Sequence, residues 1–127
     1  TALSVRNTFI DFGIPSRIIS FKWPNDVLLN GKKVAGILLQ TTVANSLKNG
    51  LIVGVGINLV DIRKIYGVDK FSTETTSFSE YIKPPNPRRV LDRLIHNFNY
   101  WEKSFKEGGF VKIKKIGNFG VLKKEEK

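Results

Sequence analysis

The chain has 127 residues, 41% hydrophobic, 25% charged and 11% aromatic, with a formal net charge of +10. This composition excludes a disordered chain, and no apolar run approaches the ~20 residues that a bilayer span needs. With no Cys there is no disulfide framework, thiolate zinc site or cysteine nucleophile, an absence compatible with a reducing cytoplasm.

The chain begins at Thr1 and contains no Met, which predicts a domain that has been cut. Residues 2–12 have helical composition, with Leu3, Val5, Phe9 and Phe12 near helical spacing. Gly13 is expected to stop that helix, and Pro15 reinforces the stop. Residues 17–23, short, β-branched and aromatic, predict a strand that Pro24 breaks. Asn25 and Asp26 then favour a turn. Asn30-Gly31 between the apolar runs 26–29 and 33–41 is a strong hairpin signal, because both central residues of a type I′ turn need φ > 0. A polar loop ending in Asn49-Gly50 leads into 51–59, so a three-stranded antiparallel meander is predicted.

The third of those strands alternates. Leu51, Val53, Val55, Ile57 and Leu59 are expected on one packed face, and Ile52, Gly54, Gly56 and Asn58 on the other. Glycine inside a strand marks the close approach of a ligand or another backbone, or else a bulge or a crossing helix. Residues 60–86 lack clear periodicity, apart from a short helical turn at 61–67 and a helix start near Ser77. From Arg88 to about Glu107, Leu91, Leu94, Ile95, Phe98, Trp101 and Phe105 recur at helical spacing and predict a core-facing helix. Gly108-Gly109 should end it. Weak alternation over 110–122 and a solvated KKEEK tail follow.

Lys22, Asn25, Asp26, Lys33 and Asn58 fall at strand ends or in the first tight turn, at the mouth of the meander. Two lysines can neutralise a polyphosphate or a carboxylate. Asp26 with the amide oxygen of Asn58 is a hard-oxygen pair suited to Mg²⁺, and a glycine-floored strand can accept a flat ring. The set reads as a site that activates an acid with a nucleotide. Taken singly, Pro24-Asn25-Asp26 is an ordinary turn and Lys32-Lys33 a solvated hairpin end. His96, the only histidine, has no triad or zinc partners nearby in sequence and reads as structural. The GVG at 54–56 is neither a dinucleotide fingerprint nor a P-loop, since a strand runs through it.

The segments KWPNDVLLNGKKVAGILLQ (22–40) and LIVGVGINL (51–59), in that order, closely resemble the biotin protein ligase (biotin–[acetyl-CoA-carboxylase] ligase) family. TTSF (75–78) and the helix running into GGF (108–110) also look like the family. The resemblance covers about residues 1–110. It implies an α+β fold of the class II synthetase-like kind, a mixed, mostly antiparallel sheet flanked by helices. Residues 1–113 would be the C-terminal portion of a catalytic domain, and 114–127 a basic tail without family match.

The resemblance further implies that biotin and Mg²⁺-ATP give biotinyl-5′-AMP, and that the biotinyl group passes to a lysine of a biotin carboxyl carrier protein of acetyl-CoA carboxylase. Lys33 would meet the biotin carboxylate and the reacting phosphate. The backbone around Gly36, Leu38, Gly54 and Gly56 would line the biotin pocket. Lys22, Trp23, Asn25 and Asn58 would serve ATP, Asp26 and Asn58 the Mg²⁺, and Asp26 would help deprotonate the acceptor lysine. Strict alternation places Lys33 and Gly36 on opposite strand faces, so one of them would have to act through its backbone or from a strand end. The family's Gly-Arg-rich loop and its biotin head-group residues have no counterpart in these 127 residues, so the chain alone is expected to have little or no ligase activity. No DNA-binding domain or membrane span is expected. A cytoplasmic location and a homodimer through a sheet edge are. The competing readings are a lipoate ligase-like acyltransferase, a basic nucleic-acid-binding module and a non-catalytic remnant.

Overall fold

The computed structural model describes residues 1–43, 49–61, 63 and 74–117. In chain order they form α1 (Ala2–Asp11), a 3-10 turn (Ser16–Ile18), β1 (Ile19–Lys22), β2 (Asp26–Leu29), β3 (Lys32–Val43) and β4 (Asn49–Ile57). A 3-10 turn (Phe78–Glu80) and α2 (Pro87–Gly117) complete the order. The strands make one antiparallel sheet in the order β1-β2-β3-β4. The fold is α+β, as expected. The predicted meander gains β1 as a fourth strand, joined to β2 by a tight turn that contains the cis Trp23-Pro24 peptide bond.

Local chemistry explains the boundaries. Gly13, at φ 99°, lets its own N–H reach back to Ile10 O at 2.9 Å and closes α1. Asn30 and Gly31 both have positive φ, 47° and 79°, as the β2–β3 turn requires. Asn86 Oδ1 accepts the Arg88 N–H at 2.8 Å, and Pro87 occupies the first turn of α2, where its missing N–H costs nothing.

One face of the sheet makes the core. Val27, Leu29, Ala35 and Ile37 pack with Val5 and Phe9 of α1, Ile14 and Phe78. The Phe9 and Phe78 rings meet edge to face, centroids 4.7 Å apart. Val55, Ile57 and Leu59 of the alternating strand join this core, but Leu51 does not. It is 61% exposed, because the β3–β4 ribbon runs out past the helices there.

α2 departs from its predicted course in two ways. It does not end at Gly108-Gly109. Gly109 leaves helical geometry (φ 62°, ψ −163°), and the helix then resumes to Gly117, so residues 110–117 are helical rather than alternating. No proline or turn residue follows Gly109 to prevent this, and Lys112 Nζ reaches back across the break to Glu107 Oε2 at 2.8 Å. Its buried face is also more polar than the periodicity implied. Val90, Asn97, Trp101 and Ser104 are inside, whereas Leu91 and Ile95 are exposed and Phe105 is 53% exposed. The reason lies on α1, whose facing side chains Ser4 and Thr8 are small and polar. Asn97 Nδ2 donates to Thr8 Oγ1 (3.1 Å) and Asp11 Oδ2 (2.9 Å). The helix expected near Ser77 is only the 3-10 turn at 78–80, and His96 is exposed in an open cleft with Asp11, Arg89 and Arg93. Most of the predicted turn at 61–67 and the tail from 118 on lie outside the described residues. Among the described residues no helix is long and apolar enough to cross a membrane.

The α1–α2 contact responds to acid. Arg93 Nε donates to Asp11 Oδ2 at 2.6 Å. That bond, with the amide of Asn97 and the nearby charge, holds the Asp11 carboxyl below the usual carboxylate range against a smaller desolvation effect. A depressed acid contributes stability above its unfolded value and loses it as pH falls through the folded one. Asp11→Asn should therefore be less stable than the parent near neutrality, with the gap closing in acid. Urea unfolding across pH measures this, and a pH-independent gap would contradict it.

Candidate functional site

The strand register assembles the site. Lys22 lies opposite Asp26, Asp26 opposite Gly36, and Gly36 opposite Gly56, one row across all four strands. Cross-strand partners share a face, and this row is on the face opposite the core. The next row pairs Leu38 with Gly54. Three glycines thus leave bare backbone, with Leu38, 66% exposed, beside them.

Lys33 reaches this face through a β-bulge. Val27 pairs with Ala35 and Leu28 with Lys33, so Val34 has no partner on β2. Val34 and Ala35 are consequently both buried, and Lys33 returns to the side of Gly36. The expectation that Lys33 and Gly36 point to opposite faces is corrected here, since the extra residue shifts the alternation by one. The Lys33 side chain crosses Gly36. A Cβ at Gly36 would lie 3.3 Å from Lys33 Cε and 3.4 Å from Nζ. Beyond it Nζ meets Asp26 Oδ1 at 3.0 Å.

Glycine at 36 therefore keeps the path of Lys33 open. Gly36→Ala is expected to push the lysine off Asp26 and move its side-chain ¹⁵N resonance. Unfolding free energy should change by less than about 1 kcal/mol, since only a flexible, half-exposed side chain must give way. An unmoved resonance would contradict the close approach.

The two asparagines are tied to main chain. Asn25 accepts the Ile37 N–H at its backbone oxygen (2.9 Å), and its Nδ2 donates to Ile37 O (2.9 Å), which carries β2–β3 pairing into the turn. Asn58 Nδ2 donates to Thr76 O at 3.2 Å. Lys22, Trp23, Asn25 and Asp26 line an open cavity of about 500 Å³ together with Ala2, Phe21 and Phe110, with Trp23 71% exposed. Asn58 lines a second cavity of about 230 Å³ with Asp61, Arg63 and residues 75–77.

The residues expected at Mg²⁺ are not brought together. Asp26 and Asn58 line different cavities, the Asp26 carboxylate faces Lys33, and the described residues contain no group of three His, Cys, Asp or Glu that could hold a metal. Mg²⁺ needs near-octahedral oxygen coordination, and the side chains present do not provide a protein-made cage for it.

Sequence reasoning missed two contributors. Residues 74–76 run alongside Lys33, and Phe110 lines the cavity beside Lys22 and Trp23. The family-like TTSF segment was the one available signal for the first. The family-like GGF at 108–110 was the signal for the second.

Comparison with known proteins gives the chain's relatives. The Biotin/lipoate A/B protein ligase family profile matches residues 8–58. The biotin–[acetyl-CoA-carboxylase] ligase of Paracoccus denitrificans is 36% identical over 101 residues, 79% of this chain and 42% of that protein. The apo biotin protein ligase of Aquifex aeolicus superposes with a TM-score of 0.72 at 32% identity, over 91% of this chain and 48% of that one. The same enzyme in complex with biotin and ATP gives 0.68 at 30% identity, over 91% and 46%. The chain thus spans about half the length, or less, of the relatives it matches. Its glycine-floored sheet, the lysine brought over that floor and these similarities place the chain in the biotin protein ligase family.

Proposed function

We propose that this chain supplies the floor and the reacting lysine of a site that activates biotin with ATP. The observation that carries the reading is Lys33 Nζ lying over Gly36 in the row Lys22–Asp26–Gly36–Gly56. A flat ureido ring system fits against backbone at Gly36, Gly54 and Gly56, with Leu38 as its apolar neighbour. One carboxylate oxygen of biotin attacks the α-phosphorus of ATP, a P–O bond forms, and pyrophosphate leaves with the electrons of the broken P–O bond. Lys33 offsets the negative charge that gathers on the phosphoryl oxygens, a role that needs a fixed cation and little motion. Lys22 and Trp23 border the cavity at the β1–β2 turn, where a nucleotide can lie. The amide oxygen of Asn25 can accept from the exocyclic amine of adenine. Mg²⁺ would enter on the ATP phosphates, and no step here depends on it.

In the second half-reaction a carrier lysine attacks the acyl carbon and AMP leaves. Asp26, beside Lys33, would take a proton from that amine, a role its pairing with Lys33 supports. The carrier would be the biotin carboxyl carrier protein, and the compartment the cytoplasm. The 127-residue chain alone should turn over little, because water can reach the acyl-adenylate from the uncovered side of the sheet.

Biotin-dependent ATP–pyrophosphate exchange tests this. A chimera in which residues 1–113 replace the corresponding part of the Aquifex aeolicus enzyme should exchange, and the isolated chain should not. A folded chimera without exchange would refute the assignment. The matched profile also spans lipoate ligases, so lipoate should compete poorly with biotin in the same assay.

A further inference from the structure

The bulge that turns Lys33 toward Gly36 is held from one side by three main-chain bonds. The Lys33 N–H donates to Glu74 O at 2.8 Å, and the Thr76 N–H donates to Lys33 O at 2.8 Å. The Asn58 N–H donates to Val34 O, the bulged residue, at 2.9 Å. Thr76 is buried, and its own carbonyl is occupied by Asn58 Nδ2 at 3.2 Å. The Phe78 N–H closes the set on Asn58 O at 3.0 Å. Asn58 therefore touches both sides of the bulge, Val34 directly and Lys33 through Thr76.

We infer that Asn58 is a positioning residue for Lys33, acting through Thr76 rather than through substrate. This deepens the proposed function, since it rests on Lys33 being the charge-stabilising group. The side-chain amide is the replaceable part of the link, because the other contacts are main chain and survive substitution. A hydrogen-bond donor is required here, as the group it meets is a carbonyl oxygen. Removing the donor frees Thr76 to withdraw from Lys33 O, and the peptide plane that aims the lysine side chain then loosens. A displacement of the order of 1 Å is enough to matter for a group that must sit on a developing charge.

Hydrogen exchange on the 127-residue chain reads the structural half without any substrate. Asn58→Asp keeps the shape and places a carboxylate against the Thr76 carbonyl. The Lys33 and Thr76 amides should exchange about tenfold faster, while the Ile37 amide, bonded to Asn25, stays within about twofold. Asn58→His, whose ring N–H can donate from nearly the same place, should restore both amides to within about threefold. An unchanged Lys33 amide overturns the inference. So does an equal rise at Ile37, which would mean that Asn58 merely holds the sheet, and so does failure of the histidine to rescue.

The active chimera reads the functional half. There Asn58→Asp should lower kcat about tenfold with the KM for ATP within about threefold. A rise in the ATP KM with kcat intact would make Asn58 a nucleotide contact only and overturn the inference. If the parent chimera shows no exchange, the proposed function fails, and the hydrogen-exchange result still decides whether Asn58 positions Lys33.

Discussion

Lys33→Ala in the active chimera should lower kcat for biotin-dependent pyrophosphate exchange by about 10²–10³, the usual cost of removing one preorganised group from a developing oxyanion. The expectation follows from where the ammonium sits. Nζ is fixed against Asp26 at 3.0 Å and above bare backbone at Gly36, so the charge is in place before substrate arrives. The fold should hardly notice. Lys33 is 46% exposed, and half-exposed ion pairs contribute about 0–1 kcal/mol. Arginine is not expected to substitute, because its planar guanidinium is wider than the ammonium and would have to pass Gly36 at the same close range. A fall of less than about tenfold in kcat would remove Lys33 from the chemistry.

The second large effect is on stability. Phe9→Ala should lower the unfolding free energy by about 3–5 kcal/mol, measured by urea denaturation. Phe9 is fully buried, and its ring meets Phe78 edge to face. Phe78 in turn is tied by its N–H to Asn58 O, so this one aromatic contact joins α1 to the segment beside the site. Against a typical total of about 5–15 kcal/mol, such a loss leaves little reserve. Phe9→Leu, which keeps most of the volume, should cost much less. A loss below about 1.5 kcal/mol for the alanine variant would mean that the core closes over the gap or that α1 is not anchored there.

Much of this architecture was legible in the amino-acid pattern, for definite reasons. Asn30-Gly31 needs positive φ at both residues and so announces its hairpin. The glycines at 54 and 56 show by their missing side chains that one face of β4 is bare. What stayed hidden depends on partners distant in sequence. A bulge cannot be read from β3 alone, because it is defined by what β2 offers opposite Val34. The polar inner face of α2 follows from Ser4 and Thr8 some 90 residues earlier, and an apolar stripe read in isolation assigns Leu91, Ile95 and Phe105 to the wrong side. The persistence of α2 beyond Gly109 shows the limit of a glycine stop when nothing after it resists helix. Of the site, the residue types were legible, whereas the tethering of Asn25 and Asn58 to main chain was not.

The bulge at Val34 also sets a rule for comparing sequences. Lys33 and Gly36 are an odd number of residues apart, and on an unbroken strand an odd offset means opposite faces. Their agreement here depends on one supernumerary residue, so parity and bulge can change only together. A chain with the lysine two residues before the glycine and a straight strand would present the same surface. One with three residues and no bulge would turn its lysine into the core. Alignments that conserve both residue types while sliding a single gap between them can therefore join a working site to a dead one.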